Sequence, residues 1–285
     1  MNWVYEKLVP SKGKILDQIE QNKGLRVCAV DLNIDGHIAV ATILEDDGTV
    51  VKELARKFIK GYAYHQHRRK RTLGKIATKQ SQTKAPETLD NMNANLWEKL
   101  KNRERNEGER VSRRLADWAH KWQVSAIVFE HLSNLKPSQE KYSKRSNQKR
   151  SYWLKSKVYL RTKDKALNDY GIYCLRVSPK DTSRVWAIDG TSVLRGNQVT
   201  QTGFNFIFKG MGKLVLSEHG DILNADLNAS RNIGLKYLQK FSEKPRLVTT
   251  RFGDRAMNRR VPLLSRDCGT SRVLPVQLAL DFGSC

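Results

Sequence analysis

The feature that most constrains this chain is an apolar run that ends on a carboxylate. Leu25 to Leu32 (LRVCAVDL) interrupts its apolar residues only at Arg26 and Asp31, which predicts a buried strand. Ile38 to Leu44 (IAVATIL) and Thr49 to Leu54 follow, with EDDG as the turn between them, so the chain opens with a strand and then a hairpin. The pattern of an apolar run closed by an acid returns once. Val124 to Phe129 (VSAIVF) predicts a short strand ending on Glu130, and Ile172 to Val177 (IYCLRV) predicts another strand.

Helical and basic segments separate these strands. Tyr62 to Lys84 is a basic, aromatic-flecked segment, and Pro86 to Asp90 punctuates it. Beyond it Leu96, Leu100, Val111, Leu115, Trp118 and Trp122 recur at helical spacing, with charges on the opposite face. Lys136 to Lys157 is a second basic run that leads into a helix through Ala166. Ser178 to Gly220 carries glycines and short β-like pieces without a helical pattern, and is expected to form an inserted subdomain. Asp226 to Lys240 suits a final packed helix through Leu227, Ile233, Leu235, Tyr237 and Leu238.

Charge narrows the partners. Lys and Arg number 52 against 29 Asp and Glu, a formal net charge of +23, so the expected partner is a polyanion. Nucleic acid fits better than a membrane, because no apolar run approaches the roughly 20 residues that span a bilayer. The N-terminus carries no signal-peptide pattern, which makes the expected location the cytoplasm, in association with the nucleoid. Cys28, Cys174, Cys268 and Cys285 are scattered without a C-x-x-C pair, the pattern of reduced, structural thiols.

Against this positive background the placement of three acids stands out. Asp31 closes the first strand, Glu130 closes the AIVFE strand, and Asp226 opens the last helix in ILNADLNASRNIG. Singly, each has an ordinary reading: a strand-end turn residue, a surface acid and a helix N-cap. Together, acids at the ends of neighbouring elements would repel one another, and divalent cations relieve that repulsion. Two Mg2+ or Mn2+ ions about 3.5 to 4 Å apart are a standard means of hydrolysing a phosphodiester. The order of strand, hairpin, long helix, strand with Glu, helix, strand and Asp-helix is that of an α/β RNase H-like (RuvC-like) fold, a mixed sheet flanked by helices.

At these residues the chain resembles a known family. VCAVDLNIDGHIAVATIL, AIVFEHLSNLK and NADLNASRNIG resemble the three RuvC motifs of the transposon-associated TnpB (OrfB-type) nucleases and the related type V CRISPR effectors. The resemblance runs from Leu25 to about Lys240. It implies a DNA endonuclease whose catalytic, metal-binding acids are Asp31, Glu130 and Asp226, with Asp35 and Asp221 off the matching positions. It also implies that Arg184 reaches the scissile phosphate, that a guide RNA is a partner, and that Asn228 is a packing or outer-shell residue. Family members carry a four-cysteine zinc module after a Thr-Ser element. Here Thr182-Ser183 remains, but Trp186 and Asp189 stand near the first cysteine pair, so no zinc is expected and Val185, Trp186, Phe204, Phe206 and Phe208 would hold the insert.

The resulting expectation is a lead-in remnant of an N-terminal lobe at 1–24 and a nuclease domain at 25–240. That domain would contain a basic and helical insertion at 62–123 and a degenerate zinc-ribbon-like insert at 178–222, with a basic tail at 241–285. Family members place a recognition lobe before the first motif, so a separate polypeptide supplying that lobe is a further expected partner. The expected nucleic-acid contacts are Arg68, Arg69, Lys70 and Arg71 in the first basic run, and Lys144, Arg145, Lys149 and Arg150 in the second. Tyr62, Tyr64, Tyr152 and Trp153 are candidates to stack bases, with packing of a helix onto the sheet the alternative for Tyr152 and the favoured reading for Trp153, and His65, His67 and His131 are candidates for outer-shell contacts only. Two alternatives stay open: a nucleic-acid-binding accessory or repressor without turnover, and a truncated, decayed product.

Overall fold

The computed structural model describes residues 24–249, apart from 35, 83–91, 133–135, 139, 152–153, 196–212, 218–220 and 243–246. Strands β1 (Leu25–Leu32), β2 (Ala39–Asp46) and β3 (Val51–Ile59) form an antiparallel meander. Helices α1 (Tyr62–Gln82) and α2 (Ala94–Lys121) precede β4 (Ala126–Glu130). Helices α3 (Lys144–Ser151) and α4 (Lys155–Tyr170) lead to β5 (Tyr173–Val177). The insert contributes β6 (Leu194–Arg195), β7 (Leu214–Leu216) and β8 (Ile222–Asn224), after which come α5 (Ala225–Leu238) and β9 (Val248–Thr249).

The main sheet runs β5-β4-β1-β2-β3-β9, and β4 and β5 are parallel to β1 and to each other in turn. β1 therefore lies at the centre, which is why its sequence is apolar on both faces. Cys28, Val30, Ile127 and Phe129 face a core shared with Val111, Leu115 and Ala119 of α2 and Val158 and Ala166 of α4. Val27, Ala29, Ala126 and Val128 face a second core with Ile233, Leu235, Tyr237 and Leu238 of α5. The two-residue alternation of each strand thus sorts its side chains between two helical layers.

The hairpin turn is built by Asp47, whose Oδ1 accepts hydrogen bonds from the amides of Thr49 and Val50 at 3.0 and 2.8 Å, beside Gly48 at φ 91°. β3 runs to Ile59, beyond the Thr49 to Leu54 segment the pattern indicated, because an irregularity at Ile43/Leu44 lets pairing continue past Leu54. The first basic run is a helix, α1. Its Arg69, Thr72 and Ile76 recur at helical spacing and are buried, and Arg103 of α2 donates to Thr72 Oγ1 at 2.8 Å.

Helix α5 is buried on nearly every side. Its Asn224 cap accepts hydrogen bonds from the amides of Asp226 and Leu227, both at 3.0 Å. The insert packs onto the domain through a small core in which Trp186, Val193, Val215 and Leu223 meet Val40 of β2 and Leu227 of α5. Asp189 Oδ1 accepts from the Thr191 amide and hydroxyl and so closes a local turn. Phe204, Phe206 and Phe208 lie outside the described residues.

Gly234 sets how closely α5 approaches the sheet. A Cβ there would lie 2.6 Å from Leu44 Cδ1 and 3.0 Å from Ala29 Cβ. Alanine is normally the better helix residue by about 1 kcal/mol. Here overpacking outweighs that gain, and Gly234→Ala is expected to lower stability by about 1 to 3 kcal/mol in urea unfolding.

Candidate metal centre

The three acids come from three elements that meet at one end of the sheet. The parallel register pairs Val30 with Phe129, so Asp31 and Glu130 are the next residues on adjacent strands. Alternation carries both onto the face that α5 covers. Asp226 stands in the first turn of α5, at the helix end nearest them. Asp31, Glu130 and Asp226 line one open cavity of about 430 Å³, together with Asn33, His131, Thr182, Ser183 and Arg195.

The electrostatics follow from that convergence. Asp31 is buried, and its carboxyl is pushed well above the ordinary carboxylate range, first by desolvation, then by the charges of Asp226 and Glu130. Arg195 and an Asn33 hydrogen bond pull in the opposite direction. Glu130 is raised by burial against the Thr182 hydrogen bond and the Lys236 charge, and Asp226 by burial against the charges of Arg195 and Lys213. All three carboxyls are therefore raised, each first by burial.

Among the described residues, no three His, Cys, Asp or Glu side chains close into a compact coordination sphere. An open arrangement of carboxylates nevertheless suits a hard cation such as Mg2+, which keeps several waters and takes one or two carboxylates plus substrate phosphate oxygens. The donor set is all oxygen, and the buried Asp31, whose carboxyl is raised by desolvation and by its two acidic neighbours, is a group whose ionisation a divalent charge would favour. Asp31, Glu130 and Asp226 therefore fit a divalent cation.

The structure places Arg184, named from the resemblance, and Arg195, which the sequence did not single out, differently with respect to the cavity. Arg184 is exposed and is not among the residues lining the cavity. Arg195 lines it instead and acts electrostatically on both Asp31 and Asp226. The reason is the hairpin of the insert: Val185 bridges to Ser192 and Val193 donates to the Arg184 carbonyl at 2.9 Å, so the returning strand, not the outgoing one, carries its arginine to the acids. Asn224, not Asp226, caps α5, which leaves the Asp226 carboxylate to the cavity.

The basic residues divide by helix face. Arg68, Lys70, Arg71 and Lys144 are exposed, and Lys149 and Arg150 are half-buried. Arg69 is buried between α1 and α2, where it donates to Gln66 at 3.2 Å, so it is a packing residue and not the surface contact expected of it. Arg68 lies 5.3 Å from the exposed Tyr64 ring, and Arg150 lies 3.8 Å from the Tyr142 ring. Tyr62 packs against the main core. Tyr152, Trp153 and the Arg145 side chain lie outside the described residues. Of the histidines, His131 lines the acid cavity, His65 lines a separate cleft between α1 and α2, and His67 is exposed.

Sequence reading missed a buried ion pair that seats α5. Arg231 Nε donates to Glu53 Oε2 at 2.6 Å, both side chains are almost fully buried, and Arg56 donates to the other oxygen of Glu53 at 2.7 Å. Glu53 sits amid an ordinary alternating strand and Arg231 is 178 residues away, so no local pattern couples them.

No protein-family model matches the chain. A TnpB-like protein of Aquifex aeolicus (strain VF5) is 28% identical over 219 residues, covering 74% of this chain and 67% of the relative. Among solved structures, the Cas12f1-sgRNA-target DNA complex matches with a TM-score of 0.50 at 20% identity over 73% of this chain. CasPhi-2 (Cas12j) bound to crRNA matches with a TM-score of 0.51 at 12% identity over 77%. The chain spans about half of each of those solved chains, 49% and 48%. The chain is similar in sequence to that TnpB-like protein and has the RNase H-like fold, a mixed sheet flanked by helices, that the element order implied.

Proposed function

We propose that this chain is a metal-dependent DNA endonuclease of the TnpB type. The observation that carries the reading is the meeting of Asp31, Glu130 and Asp226, from β1, β4 and α5, in one cavity where burial and mutual repulsion hold a carboxyl above its ordinary range. Divalent cations held by these acids would activate water and stabilise the leaving 3′ oxygen. The chain's own side chains do the rest. Arg195 places positive charge at the same cavity, where it can meet a phosphate oxygen. Exposed Arg68, Lys70, Arg71 and Lys144 hold the polyanion near it. One such centre cuts one strand at a time. A guide RNA is part of the proposal through the TnpB-like resemblance, and sequencing RNA that co-purifies with the chain tests it.

The central test incubates the full chain with Mg2+ or Mn2+ and single- or double-stranded DNA, with and without co-purifying RNA. Cleavage by the wild type and none by Asp226→Ala is the expected result. DNA left intact by both proteins would sink the proposal. Binding itself should weaken with salt, each neutralised phosphate contributing about 0.7 to 0.9 to the log–log slope. Replacing Arg68, Lys70 and Arg71 together by glutamine is expected to reduce that slope by about 2 to 3. Arg69→Gln, at a buried position, should leave the slope unchanged and lower the melting temperature instead.

A further inference from the structure

Helix α5 does more than present Asp226. Asn228, Asn232 and Lys236 follow one another at four-residue spacing and so share one helix face. All three bond to backbone of the segment between β5 and β6. Asn228 Nδ2 donates to the Val185 carbonyl at 2.7 Å, and its Oδ1 accepts from the Ala187 amide at 3.0 Å. Asn232 Nδ2 donates to the carbonyls of Thr182 at 2.9 Å and Val185 at 2.7 Å. Lys236 Nζ donates to the Ser178 carbonyl at 3.2 Å and also to that of Lys180. Residues 178–187 are thereby fastened to α5 at several points, with the two asparagines buried.

That fastened segment reaches back to the acids through one side chain. Thr182 is buried, and its hydroxyl donates to Glu130 Oε1 at 2.5 Å, with the Pro179 carbonyl at 3.1 Å as its alternative acceptor. Glu130 is the last residue of β4, paired there with Val177 of β5. The helix that positions Asp226 therefore also positions the group that orients Glu130. We infer that Asn228 and Asn232 are positioning residues, which set the Glu130 carboxylate relative to Asp226 by holding Thr182 in place. The inference rests on the metal-dependent reading proposed above. It explains why two amides that bond to backbone stand two and six residues after the acid.

The test is Mn2+ titration by calorimetry of the full chain as wild type, Thr182→Val, Thr182→Ser and Asn232→Ala, with thermal melts alongside. Thr182→Val keeps the shape and removes the donor, so Mn2+ affinity is expected to fall about 10- to 100-fold, as for the loss of groups that orient a metal ligand. Thr182→Ser restores the donor and should recover most of that affinity at a similar melting temperature, a rescue that a purely structural role would not give. Asn232→Ala should lower affinity in the same direction, with Asn228→Ala as the second variant should Asn232→Ala not fold, and wild-type affinity in a folded asparagine variant would overturn the inference. Wild-type affinity retained in Thr182→Val, or equal losses in the valine and serine variants, would overturn this inference and leave the nuclease reading standing. Failure of the wild type to bind Mn2+ at all would instead remove the metal-dependent reading and this inference with it.

Discussion

Asp31→Asn is expected to abolish cleavage and, in the same protein freed of metal, to raise thermal stability. The two effects have one cause. Asp31 is the buried member of the acid cluster, and its carboxyl is held well above the ordinary range by desolvation and by Asp226 and Glu130. Without a cation its charge is a liability to the fold, whereas with one it is a ligand. Losing it should slow cleavage by at least about a thousandfold, since several kcal/mol of transition-state charge stabilisation are at stake and each 1.36 kcal/mol is a factor of ten. The pH dependence has a definite sign. The folded pKa lies above the unfolded one, so between them the folded chain binds more protons and stability falls as pH rises. The metal-free wild type should lose stability as pH climbs from the ordinary carboxylate range through the folded pKa of Asp31. Glu130 and Asp226, also raised, act in the same direction. Asp31→Asn should flatten that slope, and Mg2+ or Mn2+ should restore stability to the wild type and not to the variant. Thermal melts across pH in chelator, giving the same slope for both proteins, would contradict this account.

The second large effect lies away from the acids. Glu53→Ala is expected to destabilise the chain by about 3 to 5 kcal/mol, because it leaves the Arg231 guanidinium, at 0% side-chain exposure, without the carboxylate that neutralises it. A typical domain has only about 5 to 15 kcal/mol in total, so such a variant is expected to populate unfolded chain at moderate temperature. The single loss is a penalty for an unpaired buried charge, not the net value of the pair. Glu53→Met combined with Arg231→Met should therefore recover much of it, as apolar replacement of a buried pair often does. Urea unfolding of both single variants and the double variant provides the cycle. Strictly additive losses would show that the two residues do not act as a pair. Any partial unseating of α5 also displaces Asp226, so cleavage should fall in the single variants even where they remain folded.

Much of the architecture was legible because it depends on local periodicity. The apolar run of β1, broken only at Arg26 and Asp31, required cover on both faces, and two layers of helices supply it. The places of Asp31, Glu130 and Asp226 at element ends were legible in the sequence, and the structure has all three lining one cavity because β4 pairs with β1 and α5 starts beside them. The same reasoning had no purchase on the basic residues. Arg68 and Arg69 are neighbours of one chemistry, yet one is exposed and the other buried, because the inward face of α1 is chosen by α2. Arg184 and Arg195 differ in the same way: the strand order of a small insert, not composition, decides which meets the acids.

What the sequence by itself determined, then, was the succession of β1 to β5 with the long helix and the last helix, the carboxylates at element ends and the charge that draws a polyanion. Each is written in residues close together along the chain, while α1 and β9 came only with the structure. Tertiary structure alone decided the partners across long separations: Arg231 with Glu53, Asn232 with Thr182, Thr182 with Glu130, and Gly234 against Leu44 and Ala29. The physical reason is that a hydrogen bond or a close packing contact is satisfied by any suitable donor, acceptor or gap within reach. Only the docking of α5 on the sheet determines what is within reach.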